Sequence, residues 1–140
     1  MISFVSISSF RSRLQSLLKV KRGVYSGVKK EISSAFSDLS MEQIRNNRDM
    51  ILVDDASVVI KLRLPDKKQH LSKSYGYRLI YMAIKTEDVV VFLDVYPKRG
   101  PSQQLDIEDS ELMLLIKEFV TEFQNDELVS HDIDNDLAEK

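Results

Sequence analysis

A chain of 140 residues that is 43% hydrophobic, with four glycines and three prolines, has the size and composition of one packed domain rather than a disordered polymer. It has no cysteine, which excludes disulfides and thiolate metal sites and fits a reducing, cytoplasmic setting. The formal net charge of −2 hides a division: residues 122 to 140 carry a net −6, residues 1 to 121 a net +4, and residues 57 to 104 a net +5.

The first ten residues, MISFVSISSF, are uncharged but about half the length of a membrane span, and they lack the basic start and cleavage pattern of a signal peptide. Within them, Ile2 to Ser6 is a short apolar run suited to an edge strand. Ser8 or Ser9 offers a helix N-cap, after which Phe10, Leu14, Leu17 and Leu18 recur at helical spacing. Gly23 ends that helix behind Lys19, Lys21 and Arg22, whose charge complements the helix dipole. A second helix follows, with Tyr25, Val28, Ile32, Ala35, Phe36 and Leu39 on one face, so the two form an N-terminal helical hairpin.

From Ala56 the period changes to two. Val58, Ile60, Leu62 and Leu64 alternate with Val59, Lys61 and Arg63, and Pro65 ends the strand. Residues 76 to 84 and 89 to 96 form two more strands, joined by Lys85-Thr86-Glu87-Asp88 as a tight antiparallel hairpin. A last helix is expected from near Asp106, with Leu112, Leu115, Ile116, Phe119 and Phe123 as its buried stripe. The order β-α-α-β-β-β-α is that of an α+β domain over residues 1 to 123, its helices covering one face of a small antiparallel sheet. Residues 124 to 140 show no sustained apolar face and are expected to be a disordered acidic tail.

Several chemistries are set aside by what is missing. The glycines at 23, 27, 76 and 100 are isolated, so no phosphate-cradling loop forms, and no serine sits in a nucleophile-elbow context. His70 and His131 have no partner at ligand spacing, so a metal site would have to be built mostly from carboxylates; no metal and no other cofactor is expected. What remains is cationic. Lys61 and Arg63 are two apart and share a strand face; Arg78 stands in the neighbouring segment, and Lys98 and Arg99 leave the end of the third strand. A phosphodiester suits such a cluster, because arginine binds phosphate bidentately and lysine adds point charge. The plainer alternative is a solvated face whose cations pair with Glu87, Asp88 and Asp94.

Three segments taken in order, Val59-Ile60-Lys61-Leu62-Arg63-Leu64, Ser74-Tyr75-Gly76-Tyr77-Arg78-Leu79-Ile80-Tyr81 and Val90-Val91-Phe92-Leu93-Asp94-Val95-Tyr96-Pro97-Lys98-Arg99, resemble the RelE family of toxins from bacterial type II toxin–antitoxin systems. The resemblance spans residues 1 to 123 and implies a RelE-like fold. It further implies a metal-independent endoribonuclease that cleaves mRNA in the ribosomal A site and is silenced by a cognate antitoxin. In that chemistry the RNA 2′-OH attacks the adjacent phosphate and leaves a cyclic phosphate and a free 5′-OH, which calls for a base, cations on the phosphate and an acid for the leaving oxygen. By this resemblance Lys61, Arg63, Arg78 and Arg99 take the catalytic positions, with Lys67, Lys68, Lys73, Lys98 and Tyr96 lining the RNA path. Arginine is a poor base, so Lys61 is the better candidate for that role than Arg63. The family's stacking aromatic beyond Arg99 is missing from Gly100-Pro101-Ser102-Gln103-Gln104-Leu105, leaving Tyr96 or Tyr75 to replace it. The alternatives are a ParE-like inhibitor of DNA gyrase and an inactive relative that acts by binding alone.

Overall fold

The computed structural model describes residues 1–47 and 49–140. Strand β1 (Ser3–Ser6) leads into helix α1 (Ser8–Leu18), a short 3-10 turn (Lys21–Gly23), helix α2 (Val28–Phe36) and helix α3 (Met41–Arg45). Strands β2 (Met50–Val53), β3 (Ser57–Leu64), β4 (Tyr77–Ile84) and β5 (Val89–Pro97) follow. Helix α4 (Asp109–Gln124) and strands β6 (Val129–Asp132) and β7 (Ala138–Glu139) complete the chain. The fold is α+β, built on one seven-stranded sheet of order β2-β3-β4-β5-β1-β6-β7.

The central hairpins follow from the alternation in sequence. β3, β4 and β5 pair antiparallel in chain order, with the 85–88 turn joining the last two. A bulge between Ile80 and Tyr81 on this pairing leaves Leu93 as the extra residue of β5. Apolar side chains on one face meet the helices: Phe10 of α1 stacks on Phe92, and Phe36 of α2 lies edge-on to Tyr81 and Phe92. The opposite face is buried as well. Val59, Ile80, Met82 and Val91 lie inside it, and Leu112 and Phe119 of α4 join the same apolar core. Helices covering only one face, as the sequence reading has it, do not account for that burial.

Three further expectations are corrected. β1 is an inner strand rather than an edge, running parallel to β5 on one side and antiparallel to β6 on the other. The tail is folded: β6 closes onto β1, and Leu137 and His131 are buried. Its acidic residues stay on the surface while those two side chains enter the core. Ser8 and Ser9 are not caps of α1; the position before the helix is Ile7, which has no side-chain acceptor to offer. The carboxylates of α4 do the capping instead. The Ser8 N–H donates to Glu122 at 3.0 Å and the Ser9 N–H to Glu118 at 2.8 Å, so two residues one turn apart on α4 satisfy the first amides of α1.

Candidate phosphate-binding site

The pleat and the register build the site. Opposite residues on paired strands share a face, and β3–β4 pairing sets Arg63 against Arg78, while β4–β5 pairing sets Arg78 against Tyr96. The adjacent row reads Lys61, Ile80, Asp94. Gly76 makes the close start of β4 possible, since a Cβ there would lie 2.1 Å from the carbonyl oxygen of Leu64.

The two arginines are held differently. Arg63 is exposed and, among the described residues, makes no ion pair. Arg78 is buried, and its guanidinium donates to the carbonyl oxygens of Lys73 and Ser74 at 3.0 Å each and of Tyr77 at 3.2 Å. Burial, and then the charge of Arg63, push Arg78 below the usual guanidinium value. Arg78 therefore serves as the clamp of the 73–77 loop, with both terminal nitrogens of its guanidinium on backbone carbonyls. Like charges directly opposite on paired strands are destabilising, and no carboxylate pairs with either of these two among the described residues.

Asp106 neutralises the other end of the patch. Its carboxylate lies 3.8 Å from Lys61 Nζ and 3.2 Å from Lys98 Nζ, and the Lys98 hydrogen bond together with the Lys61 charge holds it below the usual carboxylate range. The sequence reading treats Asp106 only as the favourable start of a helix. That helix begins three residues later, and Asp106 belongs instead to a segment that folds back over β5, where the Ile107 N–H donates to the Tyr96 hydroxyl at 3.1 Å. Tyr96 is thereby buried, at 1% exposure, and presents no ring to a ligand, contrary to its expected place on the RNA path.

Tyr75 is the exposed aromatic of the patch, at 49%, and the Arg99 guanidinium sits 4.5 Å above its ring centre. Gly100, at φ +92°, turns the chain after Arg99 and leaves room for Tyr25, whose hydroxyl donates to the Arg99 carbonyl at 2.9 Å. The remaining expected cations divide. Lys73 lines a cleft of about 410 Å³ with Arg63 and Lys67, whereas Lys68 donates to the Ser26 hydroxyl beside α2. The pairs of the plainer reading are not made: Asp94 is buried and faces Arg13 at 3.7 Å. Burial raises the Asp94 carboxyl, and the Arg13 charge opposes that rise.

Among the described residues no three His, Asp or Glu side chains gather as metal ligands, and no helix is long and apolar enough to cross a membrane. No protein-family model matches the chain, and no curated protein and no solved structure matches it.

Proposed function

We propose that the Arg63–Arg78 face binds the phosphodiester of an RNA strand and that the protein is a metal-independent endoribonuclease of the RelE kind. The observation that carries this reading is the opposition of two arginines that, among the described residues, make no ion pair with a carboxylate, because a bound anion removes the cost of such a pair. The exposed Arg63 grips the phosphate, the buried charge of Arg78 behind it adds attraction, and Arg99 with Tyr75 receives a neighbouring base. Asp106 is the ionised group of the patch able to accept the 2′-OH proton as the 2′-oxygen attacks phosphorus. Lys61 and Lys98, freed from Asp106 as it takes up that proton, balance charge on the phosphate and protonate the departing 5′-oxygen. Lys61 thus becomes a proton donor in this reading, while Asp106 takes the role of base.

The order of strands β3-β4-β5 beside a parallel β1, with helices α1, α2 and α3 between β1 and the rest, supports the same reading by analogy of fold. The expected ribosome and antitoxin partners belong to this proposal. A second reading, a relative that binds without cleaving, draws on one observation: Arg78 spends three hydrogen bonds on backbone carbonyls.

The deciding experiment incubates the purified protein with a 5′-labelled RNA in EDTA, alone and with ribosomes. Products ending in a 2′,3′-cyclic phosphate, lost in Arg63→Ala, are the expected result. Intact RNA under every condition, with binding retained, would move the assignment to the binding-only reading.

A further inference from the structure

The first turn of α2 and the turn after β3 face each other across a second cleft, of about 590 Å³, distinct from the Arg63–Arg78 face. Lys29 and Lys30 line one side and Lys67 and Lys68 the other. Two carboxylates are present. Glu31 is buried and accepts the Lys67 backbone N–H at 2.6 Å, a bond that holds the two walls together. Asp136 comes from the turn between β6 and β7 and reaches the cleft from the far end of the chain. Four ammonium groups against two carboxylates, one of them from a remote turn, leave a surplus of positive charge in a concave surface. The cleft also shares Lys67, Glu31 and Ser34 with the neighbouring cleft that Arg63 and Lys73 line, so the cations form one track from α2 to the Arg63–Arg78 face.

We infer that this lysine cleft is a second phosphate site for single-stranded RNA and that Asp136 is its resident competitor in the free protein. The placement of the acidic turn carries the argument. β6 is pinned to β1, and Leu137 is buried with φ at +59°, a costly conformation for leucine that fixes the residue beside it. Asp136 itself, at φ +48°, is held in place by the hairpin bonds from Leu137 N to Asp132 O and from Ala138 N to Asn135 O. Asp136 makes no ion pair with the four lysines among the described residues, so its fixed negative charge competes through space, as a tethered carboxylate at high effective concentration, with a phosphate entering the cleft. The phosphates of a strand already held at Arg63 have the track to follow into the cleft; this continuity rests on the proposed function, while anion binding in the cleft does not.

The test uses the full chain and a fluorescent 12-nucleotide 2′-O-methyl RNA, which cannot be cleaved, in anisotropy titrations from 50 to 300 mM salt. Lys30→Gln/Lys68→Gln is expected to weaken binding about tenfold at the lowest salt and to flatten the log–log salt slope by about 1.4, the value for two lost contacts on a single strand. Asp136→Asn keeps a residue at ease with positive φ and removes only the charge. It is expected to tighten binding about threefold, and this gain is expected to vanish when combined with the lysine pair. Unchanged affinity in the lysine variant, with an unchanged melting temperature, would overturn the site. A gain from Asp136→Asn that survives in the triple variant would overturn the competitor role, because it would be a general effect of net charge. Displacement of the RNA by poly-glutamate at equal charge concentration would replace nucleic acid by acidic protein as the ligand. Absence of RNA cleavage, with these cleft effects intact, would remove the proposed enzyme and leave the site standing.

Discussion

The Ser6 hydroxyl lies 2.6 Å from Nε2 of His131, joining β1 to a strand 125 residues further along the chain. The other ring nitrogen, Nδ1, is 2.8 Å from the carbonyl oxygen of Leu137. A carbonyl can only accept, so Nδ1 carries the proton and Nε2 receives the Ser6 hydroxyl hydrogen. The neutral imidazole is thereby the form that holds the C-terminal hairpin against the core. Arg11, which donates to the Ser6 hydroxyl at 3.0 Å, and Lys29 oppose a charge on the ring, whereas Glu139 favours one.

Stability is therefore expected to fall as the medium becomes acidic. Burial holds His131 below its ordinary value of 6.5, so the unfolded chain takes up this proton first as pH drops. The contribution is full above about 6.5, declines below it by at most about 1.4 kcal/mol per pH unit, and stops declining once the folded state also protonates. Asp94 and Glu122, raised mainly by burial, act in the opposite sense, so the His131 share must be isolated by substitution. Urea unfolding at pH 8, 6.5 and 5.5 is expected to show a shallower acid loss in His131→Gln than in the native chain. Parallel curves for the two proteins would remove His131 as the cause.

The capping of α1 by α4 gives a second expectation. Glu118 and Glu122 stand on one face of α4, and each receives a first-turn amide of α1, a helix with no acidic residue in its own first turn. Glu118→Ala is expected to cost about 1 kcal/mol, which for a chain of this size lowers the melting temperature by about 3–5 °C. RNA affinity is expected to stay within error, since neither carboxylate lines the cationic patch. A melting temperature equal to the native value would mean that solvent caps α1 equally well.

Arg63 and Arg78 face each other but should fail differently. Removing the Arg78 guanidinium leaves the carbonyls of Lys73, Ser74 and Tyr77 without their donor, so Arg78→Ala is expected to destabilise by about 1–3 kcal/mol. Arg63→Ala removes an exposed like charge and is expected to change stability by no more than about 0.5 kcal/mol, while lowering RNA cleavage about a hundredfold or more. Equal destabilisation by the two variants, measured by thermal melting, would show that Arg63 is structural as well.

The legible parts of the molecule were those with a local period. Val58 to Leu64 alternates strictly, so the face shared by Lys61 and Arg63 follows from the pleat, and the short break at 85–88 fixes how β4 and β5 pair. The tail has no such signal. In β6, Val129-Ser130-His131-Asp132, the buried residue is a histidine whose burial depends on a serine at the other end of the chain. A charge count cannot reveal that. The role of Asp106 is not legible for a related reason: the sequence around it has no period, and that role arises only when the 98–108 segment folds back across the sheet. The burial of Tyr96 is not legible either, because alternation gives the face of a side chain but not what covers it.

The last prediction separates Tyr75 from Tyr96. Tyr75 is half exposed, at the rim of the patch, with the Arg99 guanidinium already stacked on one side of its ring. An aromatic ring in this setting offers a base a flat apolar surface beside a cation, and such stacking contributes about 1–3 kcal/mol per base without regard to sequence. Tyr75→Ala is therefore expected to weaken binding of the 2′-O-methyl RNA by about tenfold, and Tyr75→Phe to leave it nearly unchanged, because the ring rather than the hydroxyl does the binding. Tyr96→Phe removes the acceptor of the Ile107 N–H inside the fold, so it is expected to lower the melting temperature and to leave RNA affinity alone. Parallel anisotropy and melting measurements on the three variants decide the assignment. Equal RNA affinity in Tyr75→Ala and the native protein would leave the patch with cations alone and no seat for a base.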